Sequence, residues 1–291
     1  MAIIIDGKEV SRLTRQQIAE DVAEIKEKYG TVPGLAVILV GDNPASCVYV
    51  RNKHKACLEV GINSYEIRYP AEVTESELVA KINELNADDN VNGILVQLPL
   101  PKHISEEKII NSIAPEKDVD AFHPFNVGKI MLGSYDYLPC TPAGVMKLLE
   151  HYEVEISGKE CVVLGRSNIV GKPMAHLLLQ KNGTVTVCHS KTADLSEVTK
   201  RADVLVVAIG KAKFLTKDMV KPGAVVIDVG INRLDDGKLC GDVDFDAVSN
   251  VASYITPVPG GVGPMTITML LKNTVKAAIQ AQKNKIGRAH V

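Results

Sequence analysis

The stretch VVLGRSNIVGKPMAHLLLQ, residues 162 to 180, passes from an apolar β-branched run through a glycine-containing loop into a helical pattern. A strand, a glycine turn and a helix in that order are what a dinucleotide fold uses to cradle phosphate. The spacing is not the common G-x-G-x-x-G. Counting from Gly165, Ser167 replaces the second glycine and Val170 the third, with Gly171 one place later. On the motif alone, a tight strand-to-helix turn with no ligand remains an alternative.

The flanking sequence repeats the strand-then-helix alternation. Apolar runs lie at 35–41, 65–70, 92–99, 160–166, 184–188, 203–210 and 224–230, separated by longer helical patterns. Continuously apolar strands joined by helices imply parallel sheets covered on both faces. The fold class expected is α/β, with two domains of mostly parallel sheet and a cleft between them, the second domain Rossmann-like. A Gly- and Pro-rich stretch from Glu116 to Val145 lacks helical period, and the boundary between the domains is placed near residue 140. The assignment is 1–140 for a catalytic domain and 141–264 for a dinucleotide domain. A last helix, begun by Pro264 behind Gly263 and running to about residue 284, belongs to a C-terminal segment 265–291 expected to pack back on the first domain.

Charge and cysteine content exclude several functions. Thirty-three basic residues against 35 acidic ones leave a formal charge of −2, so no net field draws the chain to nucleic acid or anionic membrane. No apolar run approaches the roughly 20 residues needed to span a bilayer, and the N-terminus lacks a signal-peptide pattern, so a cytoplasmic location is expected. Six cysteines and 7 histidines show no metal-ligand spacing, so no metal is expected.

The strand after the glycine loop ends at Cys188, about 20 residues on, where an NAD-specific fold places a carboxylate on the ribose. His189, Ser190 and Lys191 stand there instead. A carboxylate would repel a 2′-phosphate, whereas Ser190 and the guanidinium of Arg166 would bind it, which favours NADP over NAD.

In the first half, SCVYVRNKHKACLEVG (46–61) resembles a basic patch until it is wound as a helix. With Cys47 at zero and about 100° per residue, Arg51, Asn52, Lys55 and Glu59 fall in a polar arc from roughly 40° to 140°. Lys53 falls near 240°, among Tyr49, Val50, Ala56, Cys57 and Val60. A lysine desolvated on a core-facing stripe has its charged form disfavoured and becomes useful for acid–base chemistry. The alternative is a stem that covers apolar surface while its head reaches water. Gln97 and Pro99 follow an apolar run, at the strand edge where parallel sheets bind ligands, and Asp118 and Asp120 lie in the irregular segment beyond. TPVPGGVGPMT (256–266) offers Pro259, Gly260 and Gly261 for close backbone approach to a ligand before the last helix.

Together YVRNK (49–53), VQLPLP (96–101), KDVDAFHPFNVG (117–128), PCTPAGV (139–145), GRSNIVGKP (165–173), IDVGINR (227–233) and TPVPGGVGPMT resemble the bifunctional methylenetetrahydrofolate dehydrogenase/cyclohydrolase family, in the family's order. The resemblance implies NADP-linked oxidation of 5,10-methylenetetrahydrofolate to the methenyl form, hydrolysis to 10-formyltetrahydrofolate, a folate as the small-molecule partner and a homodimer. It makes Lys53 the general acid/base and Tyr49 its neighbour on the folate, with Gln97 hydrogen-bonding the lysine. It places Asp120 on the pterin and the Pro259–Gly261 backbone against the folate. In the cofactor half it puts Arg166 and Ser190 on the 2′-phosphate, with Gly165, Ser167, Ile169 and Ile231 along the rest of the dinucleotide. One departure is visible: Ala121 stands where the family pattern expects glycine. Two other readings compete: a two-domain NADP dehydrogenase of a small hydroxy or amino acid, and a dinucleotide-binding regulator without catalysis. The first leaves YVRNK and GGVGP unexplained, and the second has no need of Lys53.

Overall fold

The computed structural model describes residues 1–289. The chain divides into two compact units. One holds Leu13–Leu138 and the C-terminal stretch from Ile267; the other holds Met1–Arg12 and Pro139–Thr266.

In chain order the first elements are β1 (Ile3–Ile4), α1 (Gly7–Tyr29), β2 (Gly34–Val40), α2 (Pro44–Val60), β3 (Asn63–Tyr69), α3 (Glu75–Ala87), β4 (Gly93–Val96), α4 (Glu106–Ser112) and α5 (Pro124–Leu132). Strands β3, β2 and β4 form a parallel sheet in that order, with β2 central and buried along its whole length. Its side chains Ala36, Ile38 and Val40 pack with Ile94 of β4 and with Leu78 and Ile82 of α3. Helix α2 starts sharply because Asn43 accepts hydrogen bonds from Ala45 N (3.0 Å) and Ser46 N (3.2 Å) and Pro44 takes the first turn. It ends at Gly61, whose φ of +81° is free only to glycine.

The second series is α6 (Cys140–His151), β5 (Glu160–Leu164), α7 (Gly171–Gln180), β6 (Thr184–Cys188), α8 (Leu195–Thr199), β7 (Val204–Val207), β8 (Val225–Asp228), β9 (Asn232–Arg233), β10 (Leu239–Cys240), α9 (Phe245–Val248), β11 (Tyr254–Ile255) and α10 (Val262–Ala289). The main sheet runs β1-β11-β8-β7-β5-β6, parallel throughout. Strand order reverses between β5 and β7, and ligands of doubly wound sheets bind beyond the carboxyl ends of strands at such a point.

Three boundaries differ from the sequence expectation. Residues 1–140 do not all group together, because Ile3 and Ile4 pair in parallel with Tyr254 and Ile255 and extend the second unit's sheet. Helix α10 begins at Val262, two residues before Pro264, after Gly261 N closes a turn onto Pro257 O (2.8 Å). The irregular segment also contains α5, capped by His123, which accepts from Phe125 N (3.1 Å), and closed by Gly133 at φ +72°.

Candidate functional site

The glycine loop sits at the topological reversal. Gly165 follows β5 with φ +133°, and a Cβ there would stand 2.2 Å from Ala208 O, just past β7. Gly171 is equally confined, its notional Cβ 2.3 Å from Gly165 O. Both positions therefore exclude a side chain, which lets the loop fold tightly at the start of α7. Ser167 Oγ accepts from Val170 N (3.2 Å) and Gly171 N (3.3 Å), so the serine in the place of the second glycine holds the turn that leads into α7. Arg166, Ser167 and Ile169 are exposed.

Ser190 is exposed in the His189–Thr192 turn after β6, closed by Thr192 N donating to His189 O (2.9 Å) and His189 N donating to Thr192 Oγ1 (2.9 Å). Because Leu164 and Cys188 are register partners and Gly165 N donates to Cys188 O (2.9 Å), Arg166 and Ser190 leave adjacent strands at matching heights. Ile231, 46 % exposed, follows β8 on the same carboxyl edge. These residues fit a phosphorylated dinucleotide. Glycine at 165 and 171 keeps the loop tight at the start of α7, Arg166 and Ser190 offer a cation and a hydroxyl for a 2′-phosphate, and no carboxylate stands in the His189–Thr192 turn.

In the other unit Lys53 lies on the buried stripe of α2 with Ser46, Val50, Ala56, Cys57 and Val60, and is itself only 8 % exposed. Arg51, Asn52, Lys55 and Glu59 are exposed on the opposite face. The head of Lys53 does not turn out to water: Nζ donates to Gln97 Oε1 at 2.9 Å. Gln97 immediately follows β4, held there by its N–H on Ile38 O (2.8 Å), and its Nε2 donates to Leu98 O (2.7 Å). That second bond aims the amide oxygen at the lysine. Tyr49, one helical turn before Lys53, is 40 % exposed at the rim of the stripe, and Pro99 is exposed beyond Gln97.

The two aspartates of KDVDAFHP take different places. Asp118 is buried, forms a parallel bridge with Ile94 and accepts from His123 N and Asn126 Nδ2, both 2.8 Å. Burial pushes its pKa up. Asp120 is half-buried farther along the same segment. Ala121 has φ +58°, a left-handed conformation that glycine adopts freely and alanine resists by roughly 1–2 kcal/mol. The departure noted in the sequence is therefore a backbone strain beside Asp120. Pro259 is exposed while Gly260, at φ +111°, and Gly261 are buried; a Cβ on Gly7 would stand 1.7 Å from Gly261 O.

Two residues that sequence reasoning missed are Asp228 and Asp242, both buried carboxylates at the ends of loops beside Ile231. Asp228 accepts from Gly230 N (3.0 Å), Asp242 N (2.9 Å) and Val243 N (2.9 Å). Burial, opposed by these bonds and reinforced by Asp242, raises its pKa from 3.8 to about 6. The folded protein thus binds a proton that the unfolded chain has lost between about pH 4 and 6. Stability should fall as pH rises through that window, by about 3 kcal/mol from this group at ~1.4 kcal/mol per pH unit, and be level above it. Carboxylates held low, such as Glu75 and Glu77, contribute the opposite slope, so the measurable quantity is a difference: in denaturant unfolding at pH 4 to 7 the native chain should lose stability relative to Asp228→Asn as pH rises. Equal slopes would contradict it.

Among the described residues no helix is long and apolar enough to cross a membrane. Comparison with known proteins identifies the family. A family model described as the tetrahydrofolate dehydrogenase/cyclohydrolase catalytic domain matches residues 5–120, and one described as the NAD(P)-binding domain of the same family matches residues 139–282. A protein of Acetivibrio thermocellus described as bifunctional protein FolD is 61 % identical over 284 residues, 98 % of this chain and 99 % of that one. The crystal structure of the Campylobacter jejuni bifunctional enzyme FolD, a methylenetetrahydrofolate dehydrogenase/cyclohydrolase, is 56 % identical with a TM-score of 0.94, covering 96 % of this chain and 99 % of that one. The Trypanosoma brucei methylenetetrahydrofolate dehydrogenase-cyclohydrolase, solved with NADP and an inhibitor, is 41 % identical with a TM-score of 0.93, covering 96 % and 98 %. With both units matched and identity this high over nearly its full length, the chain belongs to the tetrahydrofolate dehydrogenase/cyclohydrolase family.

Proposed function

We propose that the chain oxidises 5,10-methylenetetrahydrofolate with NADP and hydrolyses the methenyl product to 10-formyltetrahydrofolate, with Lys53 as the acid–base group of the hydrolysis. The observation that carries the reading is the buried Lys53–Gln97 pair at the carboxyl edge of the β3-β2-β4 sheet. A non-catalytic dinucleotide binder has no use for it.

NADP, when bound, supplies the hydride acceptor for the methylene carbon. Arg166 and Ser190 hold the 2′-phosphate, and Gly165, Ser167, Ile169 and Ile231 line the remainder. In the hydrolysis, the neutral Lys53 amine takes a proton from the water that adds to the methenyl carbon. The ammonium so formed returns a proton to the ring nitrogen as its carbon–nitrogen bond breaks, and the hydroxyl proton of the adduct leaves to solvent. Gln97 accepts from Nζ in both states and keeps the amine aimed throughout. Tyr49 and Pro99 flank the folate, Asp120 accepts hydrogen bonds from its amino-heterocycle, and the Pro259–Gly261 backbone packs against it. The resemblance supports a homodimer working in the cytoplasm.

One coupled assay tests the reading: methylenetetrahydrofolate with NADP or NAD, following reduced cofactor and methenyl absorbance together. Reduced cofactor should accumulate faster with NADP, and the methenyl signal should rise and then decay. No turnover with either cofactor would overturn the function and leave the fold intact.

A further inference from the structure

The same two buried carboxylates, Asp228 and Asp242, organise the carboxyl edge of the nucleotide sheet. Asp242 is fully buried and accepts four hydrogen bonds. Ile209 N (2.7 Å) and Gly210 N (2.9 Å) donate to Oδ2, and Lys211 N (2.8 Å) and Asn232 Nδ2 (2.9 Å) donate to Oδ1. The three amides belong to the loop after β7, and Asn232, the first residue of β9, directly follows Ile231 at the end of the loop after β8. One side chain therefore ties together two loops that leave neighbouring parallel strands.

Asp228 seats that side chain by accepting from Asp242's own N–H. Space for both carboxylates is made by glycine. A Cβ on Gly230 would stand 2.2 Å from the carboxylate of Asp242, and one on Gly241 1.8 Å from that of Asp228. Burying carboxylates carries a desolvation penalty that an ordinary surface turn avoids, and such penalties are offset here only by amides of loops that would otherwise be solvated. What the arrangement secures is a fixed geometry where a ligand binds.

We propose that Asp242, seated by Asp228, is the positioning residue of the dehydrogenase half: it locks the 208–211 and 229–232 loops in the arrangement that presents Ile231 to the dinucleotide. The proposal rests on Ile231 being a cofactor contact. Asp242 acts through the loops and touches neither substrate nor cofactor.

Asp242→Asn in the full-length chain is the test. Each carboxylate oxygen meets two donors, so either orientation of the new amide turns its NH2 toward two N–H groups. The KM for NADP should rise about 10- to 30-fold, the equivalent of one to two net hydrogen bonds. Methenyl hydrolysis, which uses no dinucleotide, should stay within about twofold, because its acid–base pair, Lys53 and Gln97, belongs to the other unit. Asn232→Ala removes one donor without a buried mismatch and should raise the KM for NADP about 3- to 5-fold, which keeps the test open if Asp242→Asn fails to fold. An unchanged KM in both variants, or hydrolysis falling in step with oxidation, would overturn the proposal. Absence of NADP-linked oxidation in the unsubstituted chain would instead overturn the functional reading on which it rests.

Discussion

Lys53→Met is expected to lower methenyltetrahydrofolate hydrolysis by about 10²- to 10⁴-fold, the range contributed by a positioned acid–base group. Methionine keeps the length and apolar stem that fill the buried stripe of α2 and deletes only the amine. The amide oxygen of Gln97 then loses its 2.9 Å donor in a half-buried place, which costs about 1–3 kcal/mol of stability and should not unfold the chain. NADP affinity should stay within about twofold, since every proposed dinucleotide contact belongs to the other unit and Lys53 is not one of them. Single-turnover hydrolysis and equilibrium NADP binding, measured on the same preparation, separate the two effects. Gln97→Ala should lie between the native chain and Lys53→Met, because it leaves the amine present and unaimed. Native hydrolysis in Lys53→Met would remove the lysine from the mechanism.

The legible parts of this protein are those in which chemistry follows a short period. All seven runs read from the sequence contain strands; β2, β7 and β8 are buried along their length, where a parallel strand covered on both faces needs an unbroken β-branched run, whereas the edge strands β3 and β6 are partly exposed. Lys53 was legible for the same kind of reason: a turn of about 100° per residue separates it from Arg51 and Lys55 before any coordinates are known. The strands Ile3–Ile4 and Tyr254–Ile255 were not, since two residues carry no period and their pairing spans the chain. Helix α5 was hidden by its shortness inside a Gly-, Pro- and aromatic-containing segment, although Pro124 at its first position and Gly133 just past its end are the usual start and stop marks. Asp228 and Asp242 left almost no sign. Each is an aspartate at the end of an apolar stretch, and their relation exists only once Gly230 and Gly241 have brought the two loops within van der Waals reach.

The cofactor preference should collapse when Arg166 and Ser190 are both replaced by alanine. Hydrogen bonds to a charged group contribute about 1.5–3 kcal/mol each, so losing two should lower kcat/KM for NADP by about 10²- to 10⁴-fold. With NAD, which offers no 2′-phosphate, kcat/KM should change by less than about threefold, because substitutions that meet no ligand group alter little. The geometry explains why both residues act on one group. Register pairing of Leu164 with Cys188 brings the two side chains off neighbouring strands at equal height, and both are exposed, free to close on an anion. Ser190→Asp should go further than alanine, since it restores the carboxylate that NAD-specific folds keep at this point and repels the phosphate. The ionic character gives an independent readout. With a screening length of about 8 Å at physiological salt, kcat/KM for NADP in the native chain should fall as salt is raised, and that slope should flatten in the double variant. A double variant that still prefers NADP, with an unaltered salt slope, would place the phosphate somewhere other than the turn between β6 and α8.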